Sequence, residues 1–251
     1  MPERGAAGGF AAPPPGAIGA APFRRPWHRL VARVLASLNR TLLASAHCYF
    51  GGGTRIVMEL DEFRESVDVD FLCSDRSGYR LLRNTVTARS LGEIFTDDYD
   101  LIRDVRRDMY GIRTFLRVDG EPVKFEIVFE GRLSLSGAAP GLFPVEALDQ
   151  TSCIAEKLLA HADRGLDDST HARDLVDLAF MAASWPAESW APAMEAAESA
   201  YGAVVVRELD AGLSRFGDRT RRRRCVEALG IMDKRTLARG LRVLRRRLTA
   251  P

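Results

Sequence analysis

Three consecutive glycines followed by a pair of alternating aspartates set the tightest constraint on this 251-residue chain. The apolar run Cys48-Tyr49-Phe50 leads into Gly51-Gly52-Gly53-Thr54. A helix-compatible stretch follows over 54–63, and then comes Arg64-x-Ser66-x-Asp68-Val69-Asp70-Phe71. Read as a strand, this last stretch points Asp68 and Asp70 to one face while Val67, Val69 and Phe71 pack on the other. Two neighbouring carboxylates repel unless a cation lies between them. Magnesium, held by one or two carboxylates plus substrate phosphates, suits such a pair. The glycines let the backbone approach a phosphate closely, and the first N–H groups of the following helix are free to bind an anion. An isolated Asp-x-Asp is usually a solvated face, and an isolated Gly-Gly-Gly a flexible turn. Their combination at this separation, with apolar residues in the alternate strand positions, points to nucleotide chemistry.

The rest of the chain supplies a scaffold for such a site. Apolar residues make up 46% of it, which is globular composition. Residues 1–26 are the exception. Gly, Ala and Pro dominate there, with Pro13-Pro14-Pro15 in the middle, so the segment reads as a disordered tail without a signal-peptide-like apolar run. Leu30, Val31, Val34, Leu35, Leu38 and Leu42 form a helical stripe over 27–46. A further helix is expected over 79–90, then strands over 100–104, 111–118 and 123–129. Asp119-Gly120 joins the last two, a dipeptide that accepts positive φ and favours a tight hairpin. In the final strand Val123, Phe125, Ile127 and Phe129 share one face, leaving Lys124, Glu126 and Val128 on the other. Beyond 145 the pattern turns helical, with helices over 151–162, 171–184, 188–200, 203–216, 218–229 and 233–248. The expectation is an α+β chain: a tail (1–26), a domain with a mixed sheet flanked by helices (27–145), and a helical domain (146–251). No stretch approaches the roughly 20 apolar residues of a membrane span. Cys48, Cys73, Cys153 and Cys225 are scattered, without a Cys-x-x-Cys, which argues for reduced thiols and a cytoplasmic setting, with Cys48 and Cys73 as small buried hydrophobes of their strands. His28, His47, His161 and His171 show no metal-ligand spacing.

The glycine and aspartate stretch resembles the signature of the polymerase-β-type nucleotidyltransferase fold. In detail it is similar to the AbiEii/AbiGii-type nucleotidyltransferase toxins of bacterial toxin–antitoxin and phage-abortive systems. The match runs through Gly52, Gly53, Thr54, Arg64, Ser66, Asp68, Asp70 and Phe71. Two departures are visible: Arg55 stands where the family often has a small apolar residue, and the spacer before Asp68 is slightly long. A second match follows in the helical part, Glu156-Lys157-Leu158-Leu159-Ala160-His161, then Arg164, then Arg173-Asp174-Leu175-Val176-Asp177-Leu178. The resemblance covers about 45–180 and implies a set of roles. Gly52, Gly53 and Thr54, with Arg64 and Ser66, would hold the nucleotide. Asp68, Asp70 and Glu126, the last a third carboxylate on a later strand, would hold two Mg2+ ions, with Lys124 as a neighbour. Lys157 would contact the triphosphate of an NTP, and Asp174 or Asp177 would orient Lys157 or the attacking group. Without the resemblance, Glu126 reads as a solvated strand face and Arg173-Asp174 as a surface ion pair.

Charge is distributed unevenly. From 218 to 251 there are twelve Lys and Arg against three acids, a net +9 in a chain whose total is +2, which leaves −7 for the remainder. Such asymmetry is a usual footprint of a phosphate-backbone partner, with Arg221, Arg222, Arg223, Arg224, Arg245, Arg246 and Arg247 as its densest clusters. Aromatic residues are absent from this segment, so a folded RNA backbone fits better than stacked bases. An acidic protein, such as a cognate antitoxin, is the other partner this face suits. By resemblance, the reaction is transfer of nucleotide from an NTP to an RNA 3′ end such as that of a tRNA, blocking translation. Two alternatives stay open: a small-molecule acceptor of antibiotic type, and a non-catalytic nucleotide- or RNA-binding module. Cationic antibiotics fit the basic segment poorly, and the intact carboxylates argue against the module.

Overall fold

The computed structural model describes residues 23–249. Most of the expected tail, 1–22, therefore lies outside the described residues, but its last four residues do not behave as a tail. Phe23 is buried. The backbone N–H groups of Arg24 and Arg25 donate to the Glu62 carboxylate at 2.7 and 2.9 Å, and His28 Nδ1 lies 2.7 Å from it. Pro26 opens the first helix, where its missing N–H costs nothing.

Along the chain come α1 (Pro26–Ala36), α2 (Arg40–Ser45), β1 (Cys48–Phe50), α3 (Gly52–Glu59), β2 (Val69–Cys73) and α4 (Arg76–Thr85). Then follow β3 (Arg106–Arg107), β4 (Gly111–Val118), β5 (Glu121–Phe129), β6 (Gly137–Ala138) and β7 (Ala147–Leu148). The helical part comprises α5 (Gln150–Arg164), α6 (Arg173–Ser184), α7 (Trp190–Tyr201), α8 (Val204–Phe216), α9 (Arg219–Ala228) and α10 (Lys234–Thr249). The single helix expected over 27–46 is two, because the Asn39 side chain accepts from the Leu42 N–H at 3.1 Å and starts a new helix. The strand expected over 100–104 is one bridge, Leu101 to Leu116.

The strands form one mixed sheet in the order β3-β4-β5-β2-β1-β7-β6, with β2 parallel to β5 and β1 parallel to β7. Asp119 and Gly120 both adopt positive φ, and the β4–β5 hairpin pairs without interruption from Val118↔Glu121 to Gly111↔Val128. β7 carries the sheet to residue 148, slightly past the boundary drawn at 145. One face of the sheet, with Phe50, Val69, Phe71, Phe125 and Ile127, packs with residues of α1, α2 and α4 into one core. The other face contributes Tyr49 and Leu72 to a second core, formed with α5 to α10. Within it α10 lies tight on α6. A Cβ on Gly240 would stand 1.7 Å from the Ala179 carbonyl oxygen, so only glycine allows this approach.

Candidate active site

β1 ends in a turn that draws α3 back over β2. Gly51 N–H bonds to the Asp70 carbonyl at 2.8 Å, and Gly52 takes φ +67°, a left-handed conformation that other residues enter at a cost. A Cβ on Gly52 would lie 2.5 Å from Asp70 Oδ2, and one on Gly53 2.6 Å from Arg64 Nη2. The glycines thus bring the helix start against the Asp70 carboxylate on one side and the Arg64 guanidinium on the other. β2 begins at Val69, so Asp68 precedes the strand instead of lying within it. Neither aspartate has an ion-pair partner among the described residues. Burial pushes Asp70 up to about 6, and the charges of Asp68 and Glu126 add to that, against Lys124 and Lys157. A buried carboxylate raised by its like-charged neighbours is a place where a cation is stabilising. Asp68 and Asp70 therefore fit a divalent ion.

Glu126 is the register partner of Asp70 across β2 and β5. Its two oxygens are already engaged: Arg113 Nε donates to Oε1 and Lys124 Nζ to Oε2, each at 2.5 Å. Burial works to raise its pKa, but Lys124 and Arg113 outweigh burial and hold it below the ordinary range. Among the described residues, no three His, Cys, Asp or Glu side chains converge as a ready metal cluster. Glu126 fits as a third ligand only after release from Arg113 or Lys124.

The second motif forms a buried ionic chain instead of a row of free charges. Arg64 makes a two-pronged pair with Asp177, both bonds 2.7 Å. Lys157 Nζ lies 2.9 Å from Asp174 Oδ1 and 3.1 Å from Asp177 Oδ2, and Arg164 Nε donates to Asp174 Oδ2 at 2.8 Å. Asp174 and Asp177 are fully buried. Against the cost of burial, Lys157 and Arg164 hold Asp174 well below the carboxylate range. Lys157 stays above its ordinary value because Asp174 and Asp177 outweigh its own burial. Thr54 is also buried, and its hydroxyl lies 2.8 Å from that of Ser66. Arg64, Ser66 and Thr54 thus lock the α3 start to the segment before β2 and to α6. Arg55 turns away from the site, pairing with Glu59 at 2.7 Å and stacking over Trp185.

Between the sheet and α5 lies a cleft of about 230 Å3. Gly52, Gly53, Asp70, Lys157 and Arg164 line it, as do Glu130, Arg132 and Glu156. These last three had no role in the sequence reading. The strand alternation that puts Glu126 on the face away from Phe125 also leads through Val128 to Glu130, and Glu156 precedes the motif lysine, so both signals were present. His161 is buried with Nε2 3.1 Å from the Glu208 carbonyl, a structural histidine.

The basic segment occupies α9 and α10, and most of its marked arginines have partners within the chain. Arg221 pairs with Asp168, Arg223 with Glu227, and Arg222 reaches the Phe216 and Gly217 carbonyls. Arg245 bonds the Leu213 carbonyl and Arg247 stacks over Trp190. Of the seven, Arg224 and Arg246 have no such partner among the described residues. No helix among the described residues is long and apolar enough to cross a membrane.

The family model described as nucleotidyl transferase AbiEii toxin, Type IV TA system, matches residues 33–228. No curated protein matches the chain. Among solved structures, two Helicobacter pylori proteins, a nucleotidyltransferase and JHP933, each share 18% identity at a TM-score of 0.47. Both cover 88% of this chain, with 95% and 92% of their own covered. An antigenic nucleotidyltransferase-like protein from Paracoccidioides brasiliensis shares 11% identity at 0.32, over 86% of this chain and 92% of its own.

Proposed function

Because the chain belongs to the AbiEii nucleotidyltransferase toxin family, we propose that it is a magnesium-dependent enzyme that moves a nucleotide from an NTP to an RNA 3′ end such as that of a tRNA, and so blocks translation. One observation carries the reading: the Gly52–Gly53 start of α3 stands against Asp70, a carboxylate without an ion-pair partner among the described residues, with Lys157 on the wall of the same cleft. The free N–H groups of that helix start and the Lys157 ammonium are the donors for phosphate oxygens. Asp68 and Asp70 would hold Mg2+, joined by Glu126 once Arg113 or Lys124 lets it go. The ion supplies charge neutralisation at the phosphates and lowers the pKa of an attacking hydroxyl. Asp174 and Asp177 fix the Lys157 ammonium, while Arg64 holds Asp177, so the phosphate end of the cleft is set before substrate arrives. The resting pairs of Glu126 neutralise a charge that would otherwise repel the triphosphate.

The basic face of α9 and α10 supports an RNA acceptor through Arg223, Arg224 and Arg246, the marked arginines most open to a partner. A cognate antitoxin accords with the family description as a toxin of a toxin–antitoxin system, and a tRNA acceptor would set the reaction in the cytoplasm. Incubation with total tRNA, each labelled NTP and magnesium, followed by gel separation, tests the reading. Label on tRNA supports it. Label on a small molecule alone, or on nothing, overturns it.

A further inference from the structure

Register across the sheet places four charged residues in one row. Arg106 on β3 pairs with Arg113 on β4, Arg113 with Glu126 on β5, and Glu126 with Asp70 on β2. Directly opposite residues share a face. The row therefore runs from the candidate metal carboxylates to the sheet edge, with Arg106 two strand spacings, about 10 Å, from Glu126. Nearer α5 the same face carries Tyr49 and Leu72 into the second core. Over β4 that cover stops. Phe115 belongs to neither core, the Arg113 side chain is 37% exposed, and Arg106 is exposed.

This open strip suits a polyanion. Like charges directly opposite each other destabilise a sheet, yet Arg106 stands opposite Arg113. The guanidinium groups of Arg103 and Arg106 have no ion-pair partner among the described residues. Arg103 lies over the Phe115 ring, 4.9 Å from its centre, a planar cation on an aromatic against which an unpaired base can stack. Three acids share the strip. Asp104 follows Arg103 in the chain. Asp108 accepts the Tyr110 and Gly111 N–H groups at 2.7 and 3.0 Å and lies 3.5 Å from Arg113. Glu126 is shared by Arg113 and Lys124. Once Glu126 turns to a metal ion, Arg113 keeps only the distant Asp108 and is free to take a phosphate.

We infer that the strip is the seat of the acceptor: the unpaired 3′ end of an RNA lies across β3 to β5, with Arg106 and Arg113 on its phosphates and the Arg103–Phe115 stack under one of its bases. The terminal hydroxyl then reaches Asp70 and Glu126 from the β4 side. The inference rests on the nucleotidyltransferase reading and places the reacting end of its substrate, leaving α9 and α10 to the body of the RNA. Continuity with the carboxylates selects this occupant, since a row of cations that leads onto a metal site serves a strand that reacts there. Stacking requires bases that are not already paired.

Fluorescence anisotropy with two labelled RNAs tests this: a hairpin ending in a short unpaired 3′ tail, and the same hairpin with a blunt end, both with magnesium. Calorimetric binding of inorganic triphosphate with magnesium runs alongside. The tailed hairpin should bind at least about tenfold more tightly than the blunt one, a step of ~1.4 kcal/mol. Arg106→Ala and Phe115→Leu should each weaken the tailed hairpin at least about fivefold, with the blunt hairpin and triphosphate unchanged. Arg106 is exposed on an edge strand, so its replacement tests the strip without disturbing the core. In the transfer reaction Arg106→Ala should raise the KM for RNA while kcat and the KM for NTP hold. A tail that binds no better than a blunt end, or a preference for the tail that survives both variants, overturns the acceptor strip; triphosphate binding then leaves the nucleotidyltransferase reading standing. Failure of triphosphate to bind overturns that reading, and the strip with it.

Discussion

Single side chains here are tuned by burial as much as by charge, and Glu156 gives the clearest test. Its pKa is raised by burial and by Glu130, from the ordinary 4.5 to about 8. The folded chain keeps this proton while the unfolded chain releases it. The contribution to stability is therefore complete below about pH 4.5 and is lost as pH rises toward about 8. Glu156→Gln removes the titration. The melting temperature of the unaltered chain should fall more steeply between about pH 5 and about pH 8 than that of the variant. Parallel profiles would show that Glu156 is already ionised in the fold. At this scale the sequence was informative about residue types and less so about their engagements. Asp70 was legible from strand alternation and Glu126 only with the family resemblance added to it, and the two do meet in register. Arg113 was also within reach, because a tight turn at 119–120 pairs 113 with 126 by counting outward. The burial of Thr54 and the turn of Arg55 toward Trp185 depend on helices far along the chain and left no local signal.

Elements are joined across the site by charge. Arg64 reaches Asp177 over 113 residues, fastening the segment before β2 to α6. Removing one partner of a buried pair typically costs ~3–5 kcal/mol when the other charge is left unpaired. Asp177 keeps Lys157 at 3.1 Å, so Arg64→Ala should lower unfolding free energy by about 3 kcal/mol, the lower end of that range, as read by denaturant titration. A loss under about 1 kcal/mol would mean that water or Lys157 replaces the guanidinium at Asp177. The helices of 146–251 were legible to within a few residues because caps and glycines mark their ends, as Asp149 and Asp218 do by accepting from Ser152 N–H and Arg221 N–H. The break between α1 and α2 was hidden by an apolar stripe that runs on to Leu42, past the Asn39 cap. Motif order gave Lys157 and Asp174 together. That Arg64 belongs to this chain of charges is a tertiary fact.

At the scale of the whole molecule, an excess of positive charge sits on α9 and α10 while the rest of the chain is net negative. Several of the arginines satisfy carbonyls and carboxylates of the chain itself, so the set left open to a partner is smaller than composition implies. Changing Arg223, Arg224 and Arg246 to Glu should weaken RNA binding with little regard to sequence. It should also flatten the log–log salt dependence by roughly 0.7 to 0.9 for each phosphate that these arginines no longer neutralise. Unchanged affinity and slope would assign this face to an acidic protein. The account as a whole turns on Asp70, the carboxylate that the glycine turn brings against the helix start. The most direct measurement is the initial rate of label transfer from NTP to total tRNA, with magnesium, for the unaltered chain and for Asp70→Asn, with thermal melting run alongside. The account predicts transfer by the unaltered chain and a loss of more than about a hundredfold in the variant, beyond the 10–100-fold typical of residues one layer removed from a metal. Relief of a buried like charge should leave the variant at least as stable. An Asp70→Asn protein that transfers nucleotide at the unaltered rate would contradict it.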